Sequence, residues 1–116
     1  MEKLIQKKCV ACEGAVKPLK RKEFSKYLSQ VKEWKVIKDK KIEREFTLKN
    51  FREALAFINQ IGEIAEQEHH HPDILLYSWN KVKISLYTHA INGLFINDFI
   101  VAAKIENLSK KLFNGG

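Results

Sequence analysis

Apolar residues recur along the chain with two periods, one typical of helices and one typical of strands. Between Leu19 and Val31 they return every three to four positions, which predicts an amphipathic helix. On either side of the polar turn Asp39-Lys40, apolar and polar residues alternate, which predicts two strands over 34–37 and 42–48. In the second strand, alternate side chains divide into an apolar face with Ile42, Phe46 and Leu48 and a polar face with Glu43, Glu45 and Thr47.

The second half of the chain repeats this succession. Asn50 is a good N-cap, with Glu53 three residues later, and Pro72 disfavours the α conformation in the residue before it, so a helix is predicted to begin after Asn50 and to end near His71. Residues 74–78 and 81–89 are predicted to form two more strands, the second of which alternates apolar and polar residues. Residues 97–113 form a final helical pattern after the break at Asn92-Gly93. The residues of the middle helix that we expect to face inward are Phe51, Leu55, Ile58, Ile61 and Ala65.

Two predicted hairpins separated by helices indicate an α+β fold. The order α-β-β-α-β-β-α predicts a four-stranded antiparallel sheet with the helices packed on one face. Residues 1–18 lack periodicity and are expected to form an irregular N-terminal arm, so the single domain is predicted to span 19–116.

Length and composition narrow the class of protein. A chain of 116 residues with 45% hydrophobic and 30% charged residues is typical of one globular domain. No apolar run approaches the ~20 residues needed to span a bilayer, and the first residues lack the apolar core of a signal peptide. We therefore expect a cytoplasmic protein without a membrane partner.

The net charge of +7 raises the possibility of nucleic-acid binding. The basic residues, however, are distributed along the chain and mixed with glutamates, and no nucleic-acid-binding motif accompanies them. We expect a solvated surface and no nucleic-acid partner.

All four histidines lie between positions 69 and 89, and three of them are consecutive. Imidazole titrates near neutral pH, so histidines that share a pocket are candidates for acid–base catalysis. Glu66 lies four residues before His70 and shares its helix face if the helix reaches that far, in which case its carboxylate could orient the His70 ring. The residues alone leave open a fortuitous surface cluster.

A metal site is the other interpretation of the histidines and cysteines. Cys9 and Cys12 form a CxxC pair, but no second ligand pair at zinc-site spacing follows, and consecutive histidines on a helix point in different directions. We expect no metal and free or redox-active thiols. Neither cysteine belongs to the histidine cluster, so both are predicted to be dispensable for catalysis.

The residues around the histidines resemble the signature of the pterin-4a-carbinolamine dehydratases. That signature is a Glu, three residues, His-His-Pro, an aromatic residue, Thr-His, Gly-Leu and an Asp. The resemblance covers 66–106, and the Cys9-x-x-Cys12-x-Gly14 opening is similar to the bacterial branch; Phe95 and Lys20 depart from it, where the family often has Ser or Thr as helix caps. The matching residues are Glu66, His70-His71-Pro72, Trp79, Thr88-His89, Gly93-Leu94 and Asp98.

The resemblance implies a reaction and roles for these residues. A 4a-hydroxytetrahydropterin would lose water to give quinonoid dihydropterin in tetrahydrobiopterin recycling, without a metal or other cofactor. His70 and His89 would be the acid–base pair, and His71 would complete the catalytic set by binding the pterin. Glu66 would orient His70, and His69 would be a bystander. The substrate-binding set would be Glu66, His71, Pro72, Thr88 and Asp98.

The resemblance also suggests partners beyond the pterin substrate. It implies coupling to an aromatic amino acid hydroxylase. Independently of the resemblance, the edges of a short sheet and the broad apolar band of the last helix predict a homo-oligomer, a dimer or a tetramer. Vertebrate members of the family also bind the dimerisation domain of a transcription factor, so a non-enzymatic protein-interaction role is the alternative. Turnover of a carbinolamine distinguishes the two.

Overall fold

The computed structural model describes residues 3–10 and 16–113 of the chain. Within them, three α-helices and four strands follow one another in the predicted order, with short 3₁₀ helices at Leu4–Gln6 and His89–Ile91. The fold is α+β, as predicted. The helices and strands are α1 (Arg21–Leu28), β1 (Lys35–Ile37), β2 (Lys41–Thr47), α2 (Phe51–Glu68), β3 (Asp73–Tyr77), β4 (Lys81–Leu86) and α3 (Ile96–Phe113).

The four strands form one antiparallel sheet in the order β1-β2-β4-β3. The two hairpins therefore meet through their second strands, with Ile42 opposite Leu86 and Phe46 opposite Val82. These four side chains are buried and face the helices, whereas Glu45 and Lys83, also opposite each other, lie on the polar face. The alternation predicted for β2 is confirmed.

The buried face of α2 differs from the predicted one. Phe51 and Leu55 are 50% and 44% exposed and Ile58 is half-buried, although all three were expected to face inward. Ile61 and Ala65 are buried as predicted, but Ala54 and Phe57 take the place of Phe51 and Leu55 on the buried face. The residues of the buried stripe are Ala54, Phe57, Ile61 and Ala65.

The last helix is embedded in the molecule. Phe99, Ile100, Val101, Ala102 and Ile105 are all buried, because α1, α2 and the N-terminal 3₁₀ helix pack around α3. Most of the broad apolar band of this helix is therefore used within one chain, and Leu112 near its end is 44% exposed.

The N-terminal arm contributes to the core. Leu4 is completely buried, and its backbone N–H donates to the Gln30 side chain at 2.9 Å. Cys12 and Gly14 of the predicted arm lie outside the described residues. In the part of the chain that the structure describes, no helix is both long and apolar enough to cross a membrane.

Candidate active site

A cavity of about 410 Å³ lies where the C-terminal end of α2, the loop after β4 and the first turn of α3 meet. This volume falls within the range of about 300–1,000 Å³ that is usual for small-molecule sites. Three of the four histidines contribute to its wall. The lining residues are Cys9, Val10, Glu68, His69, His70, Thr88, His89, Ala90 and Asn97.

Asp98 is the buried centre of this site. Its carboxylate is inaccessible to solvent and accepts three hydrogen bonds, each from a different element. Oδ2 accepts from the Thr88 hydroxyl and from the Phe95 backbone N–H, both at 2.9 Å, and Oδ1 lies 2.7 Å from Nε2 of His70. Asp98 thus joins the start of α3, the loop after β4 and the segment after α2.

The bond to Phe95 also explains how α3 begins without a Ser or Thr cap. Phe95 immediately precedes the helix, and its N–H is bound by the acidic side chain three residues later, which is one half of a capping box. The first helix, which also lacks a Ser or Thr cap, begins in the same way: the Glu23 carboxylate accepts from the Lys20 N–H at 2.8 Å. The two departures from the family pattern therefore leave both helix starts capped.

The end of α2 sets the direction of the histidines. The helix ends at Glu68, and His69 adopts the left-handed conformation (φ 53°, ψ 37°). The His69 N–H donates to Glu66 O and the His70 N–H donates to Ala65 O at 3.1 Å, the bonding pattern of a Schellman motif. The chain thereby leaves the helix axis before His70.

This helix end corrects the expected pairing of Glu66. Because His70 is no longer helical, Glu66 does not contact it; Glu66 is hydrogen-bonded to His71 instead. The carboxylate that orients His70 is Asp98. An ionised carboxylate can only accept, so Nε2–H of His70 donates to it, which leaves Nδ1 of the ring for proton exchange.

His89 reaches the cavity from the other side. The strand ends at Leu86, earlier than the predicted boundary at residue 89, and His89 begins a 3₁₀ turn, where it is exposed. Its ring packs on Tyr87 with 4.1 Å between the ring centroids. The turn is closed by hydrogen bonds between Thr88 and Gly93; a side chain at Gly93 would meet Pro18 at 2.7 Å, which explains the glycine.

The structure places His71 away from this cavity. His71, Glu66 and Pro72 line a separate, open depression between α2 and β3, which also includes Ile58 and Ile74. Glu66 is exposed, and its hydrogen bond with His71 lowers the pKa of the carboxyl group. Seven residues were predicted as the substrate-binding set and the acid–base pair, and they divide between two surfaces. His70, Thr88 and His89 line the cavity, whereas Glu66, His71 and Pro72 line the depression. Asp98 is buried behind His70.

Cys9 belongs to the cavity, contrary to the premise that neither cysteine lies near the histidines. Its thiol is half-buried beside Glu68, and burial together with that carboxylate raises the pKa of the thiol to about 12. At neutral pH the thiol is protonated and a poor nucleophile. The Cys9 thiol also contacts the backbone carbonyl of Asn97, at 3.6 Å. The sequence carried no signal for this contact, because the two residues are 88 positions apart.

His69 and Asn97 are further lining residues that the sequence did not identify. The resemblance implied that His69 is a bystander, but after the left-handed turn at this residue it lines the cavity. Among the described residues, no group of three His, Cys, Asp or Glu side chains is arranged to hold a metal ion.

Comparison with known proteins identifies the family. The sequence model described as pterin 4 alpha carbinolamine dehydratase matches residues 17–108, which is most of the chain. The chain belongs to this family. The resemblance drawn from the histidine motif is confirmed.

Relatives cover nearly the whole chain. A protein of Alkaliphilus metalliredigens is 53% identical over 107 residues, 91% of this chain and 96% of its own length, and one of Rubrobacter xylanophilus is 44% identical over 108 residues, 93% of this chain and 100% of its own length. Both bear the name pterin-4-alpha-carbinolamine dehydratase provisionally.

Solved structures share the fold. A transcriptional coactivator/pterin dehydratase from Brucella melitensis matches with a TM-score of 0.72 at 29% identity, covering 78% of this chain and 97% of the other. A pterin dehydratase-like protein described as a RuBisCO assembly factor in the alpha-carboxysome matches with a TM-score of 0.55 at 19% identity, covering 66% and 88%, and shows the fold alone.

Proposed function

We propose that the chain removes water from a 4a-hydroxytetrahydropterin and releases quinonoid dihydropterin. The observation that carries this proposal is that His70 and His89 line one cavity, with the first ring held by a buried carboxylate. Family membership supports the same activity.

The reaction needs two proton transfers. Hydroxide is a poor leaving group, so a general acid must protonate the oxygen on C4a, while a general base takes the proton from N5 as the C4a=N5 bond forms. Each such group typically accelerates a reaction by about 10²–10⁴-fold. His70, through Nδ1, and His89 are the groups that we assign to these transfers, in either order.

The remaining residues have supporting roles in the proposal. Asp98 holds the tautomer of His70, and Thr88 holds Asp98. His71, with Glu66 and Pro72, lies on the adjoining surface and would contact the part of the substrate that extends from the cavity. We place the reaction in tetrahydrobiopterin recycling in the cytoplasm, beside an aromatic amino acid hydroxylase that supplies the carbinolamine.

The test is a direct assay. Carbinolamine generated by a hydroxylase should yield quinonoid dihydropterin faster with the purified chain than without it, and pretreatment with a strong chelator should leave the rate unchanged. A rate equal to the spontaneous one would refute the enzymatic role and favour protein interaction, the other activity named for the Brucella protein. Loss of turnover on chelation, restored by zinc, would refute the metal-free mechanism.

A further inference from the structure

Two residues of the N-terminal arm contribute to the wall of the candidate site. Cys9 and Val10 line the same cavity as His70 and His89, although they precede the domain boundary suggested by the sequence. The Val10 side chain is 56% exposed, so its apolar surface is available to a molecule in the cavity.

Asn97 binds this segment through both of its amide atoms. The Val10 N–H donates to Oδ1 at 3.0 Å, and Nδ2 donates to the Val10 carbonyl at 2.6 Å. The side chain thus satisfies the two polar groups of one arm residue, as a neighbouring strand would. Because Asn97 is only 3% exposed, its position is fixed by the surrounding protein.

Glu68 holds the adjacent residue. One carboxylate oxygen accepts the Cys9 N–H at 2.8 Å, and the other binds the Lys104 ammonium at 2.5 Å. Burial raises the pKa of this carboxyl group, but the bonds from Lys104 and Cys9 outweigh it and lower the pKa on balance. Both charged side chains are largely buried, so this anchor is a shielded ion pair.

These anchors adjoin the groups that hold His70. Glu68 is the last residue of α2, two positions before His70, and Asn97 precedes Asp98 in the first turn of α3. The arm therefore connects the same two helix ends that the bond between His70 and Asp98 connects.

We propose that Cys9 and Val10 form a wall of the substrate pocket against which the flat pterin ring packs, and that Asn97 is the positioning residue that holds this wall. The inference rests on the proposed dehydratase function. The cavity otherwise presents mainly imidazole and polar groups, and the Val10 side chain offers an apolar contact for a heteroaromatic face. The contact uses the Val10 side chain and the arm backbone, so the Cys9 thiol itself is not required.

Val10→Trp tests the wall directly. The larger side chain should obstruct the pocket and raise KM by about tenfold or more, with kcat within about threefold of the parent, because a binding contact is altered and the proton-transfer groups remain. Val16→Trp is the matched control, since Val16 is an exposed arm valine outside the cavity. Equal KM values for the two variants would overturn the inference.

Asn97→Ala tests the anchor, and it is preferable to a Glu68 variant, which would leave the buried Lys104 unpaired. We expect KM to rise about tenfold with kcat within about threefold. A fall in kcat at unchanged KM would instead mean that Asn97 acts through Asp98, which would overturn its assignment to the arm.

Thiol labelling gives a readout that does not depend on turnover. With Cys12→Ser, Cys9 is the only thiol, and Ellman's reagent should modify it slowly. Asn97→Ala should accelerate this labelling about tenfold by releasing the arm, and 7,8-dihydrobiopterin should slow it in the parent by covering the wall. Labelling that responds to neither change would overturn the inference.

Absence of the dehydratase activity and absence of the wall would give different results. A parent chain without dehydratase activity would remove the proposed function, while pterin protection of Cys9 would still support the wall. A parent chain that is active, with Val10→Trp equally active at every substrate concentration, would remove only the wall.

Discussion

The distribution of carboxylates among the histidines decides which residues can act together. Asp98 is buried and bound to His70, whereas Glu66 is exposed and bound to His71. A buried carboxylate fixes the orientation and tautomer of a ring far better than one in water, because no solvent competes for it. The protein therefore fixes the ring orientation and tautomer of His70 more firmly than those of His71.

This difference predicts the effects of removing each charge. Asp98→Asn should lower kcat by about 10²-fold or more, because the amide can donate to Nε2 of His70 and so impose the tautomer with Nδ1 protonated. Glu66→Gln should lower kcat/KM by less than about tenfold, since it disturbs only the exposed His71. Steady-state kinetics on the two variants measure this contrast, and larger losses from Glu66→Gln would contradict it.

The sequence predicted the identities of most site residues but not their partners. The histidine motif identified residues that line the cavity. The predicted pairing of Glu66 with His70, however, assumed that α2 continues to His70, whereas the helix ends at Glu68. Nothing in the sequence marks His69 for the left-handed conformation, which usually selects glycine or asparagine. The contacts of Val10 and Asn97 join residues 87 positions apart and have no local pattern.

At the scale of elements, the left-handed residue His69 both terminates α2 and lines the cavity. A left-handed residue with a side chain costs about 1–2 kcal/mol. His69→Gly should therefore stabilise the chain by about 0.5–1 kcal/mol, after the greater freedom of glycine in the unfolded state is subtracted.

Thermal unfolding measures this gain as a rise of a few degrees in Tm. The Tm of His69→Asn should equal that of the parent or lie slightly above it. The Tm of His69→Val should be lower, because β-branched residues tolerate this conformation poorly. A lower Tm for His69→Gly would mean that the His69 side chain itself stabilises the cavity wall.

The strands and helices differed in how well the sequence predicted their packing. The alternation in β2 predicts a single buried face, because only one face of the strand is apolar. On α2, Phe51 and Leu55 compete with Ala54 and Phe57 for the core, and the helical period alone cannot choose between two apolar stripes. The contacts of α2 with the sheet and with α3 bury Ala54 and Phe57 and leave Phe51 and Leu55 exposed.

At the scale of the whole molecule, the unused stripe of α2 and the edge strand β3 leave apolar groups in solvent. Phe51, Leu55, Leu75 and Tyr77 are between 38% and 50% exposed, and β3 has a free hydrogen-bonding edge in the described sheet. These surfaces, in place of α3, are where the predicted homo-oligomer should form.

Light scattering should give a mass of at least twice the 13.5 kDa of one chain at micromolar concentration. Leu55→Glu should reduce that mass, because it places a charge in the exposed stripe of α2. Leu112→Glu on α3 is the matched control, since both leucines are 44% exposed. A monomeric parent, or equal masses for the two variants, would contradict this assignment.

The central claim is that dehydration takes place in the cavity shared by His70 and His89, and the kcat of single alanine variants tests it most directly. His70→Ala and His89→Ala should each lower kcat by about 10²-fold or more, whereas His71→Ala should act mainly on KM. All three should remain folded by circular dichroism, because none of these side chains belongs to the apolar core. Carbinolamine turnover at the parental rate by both His70→Ala and His89→Ala would contradict the account.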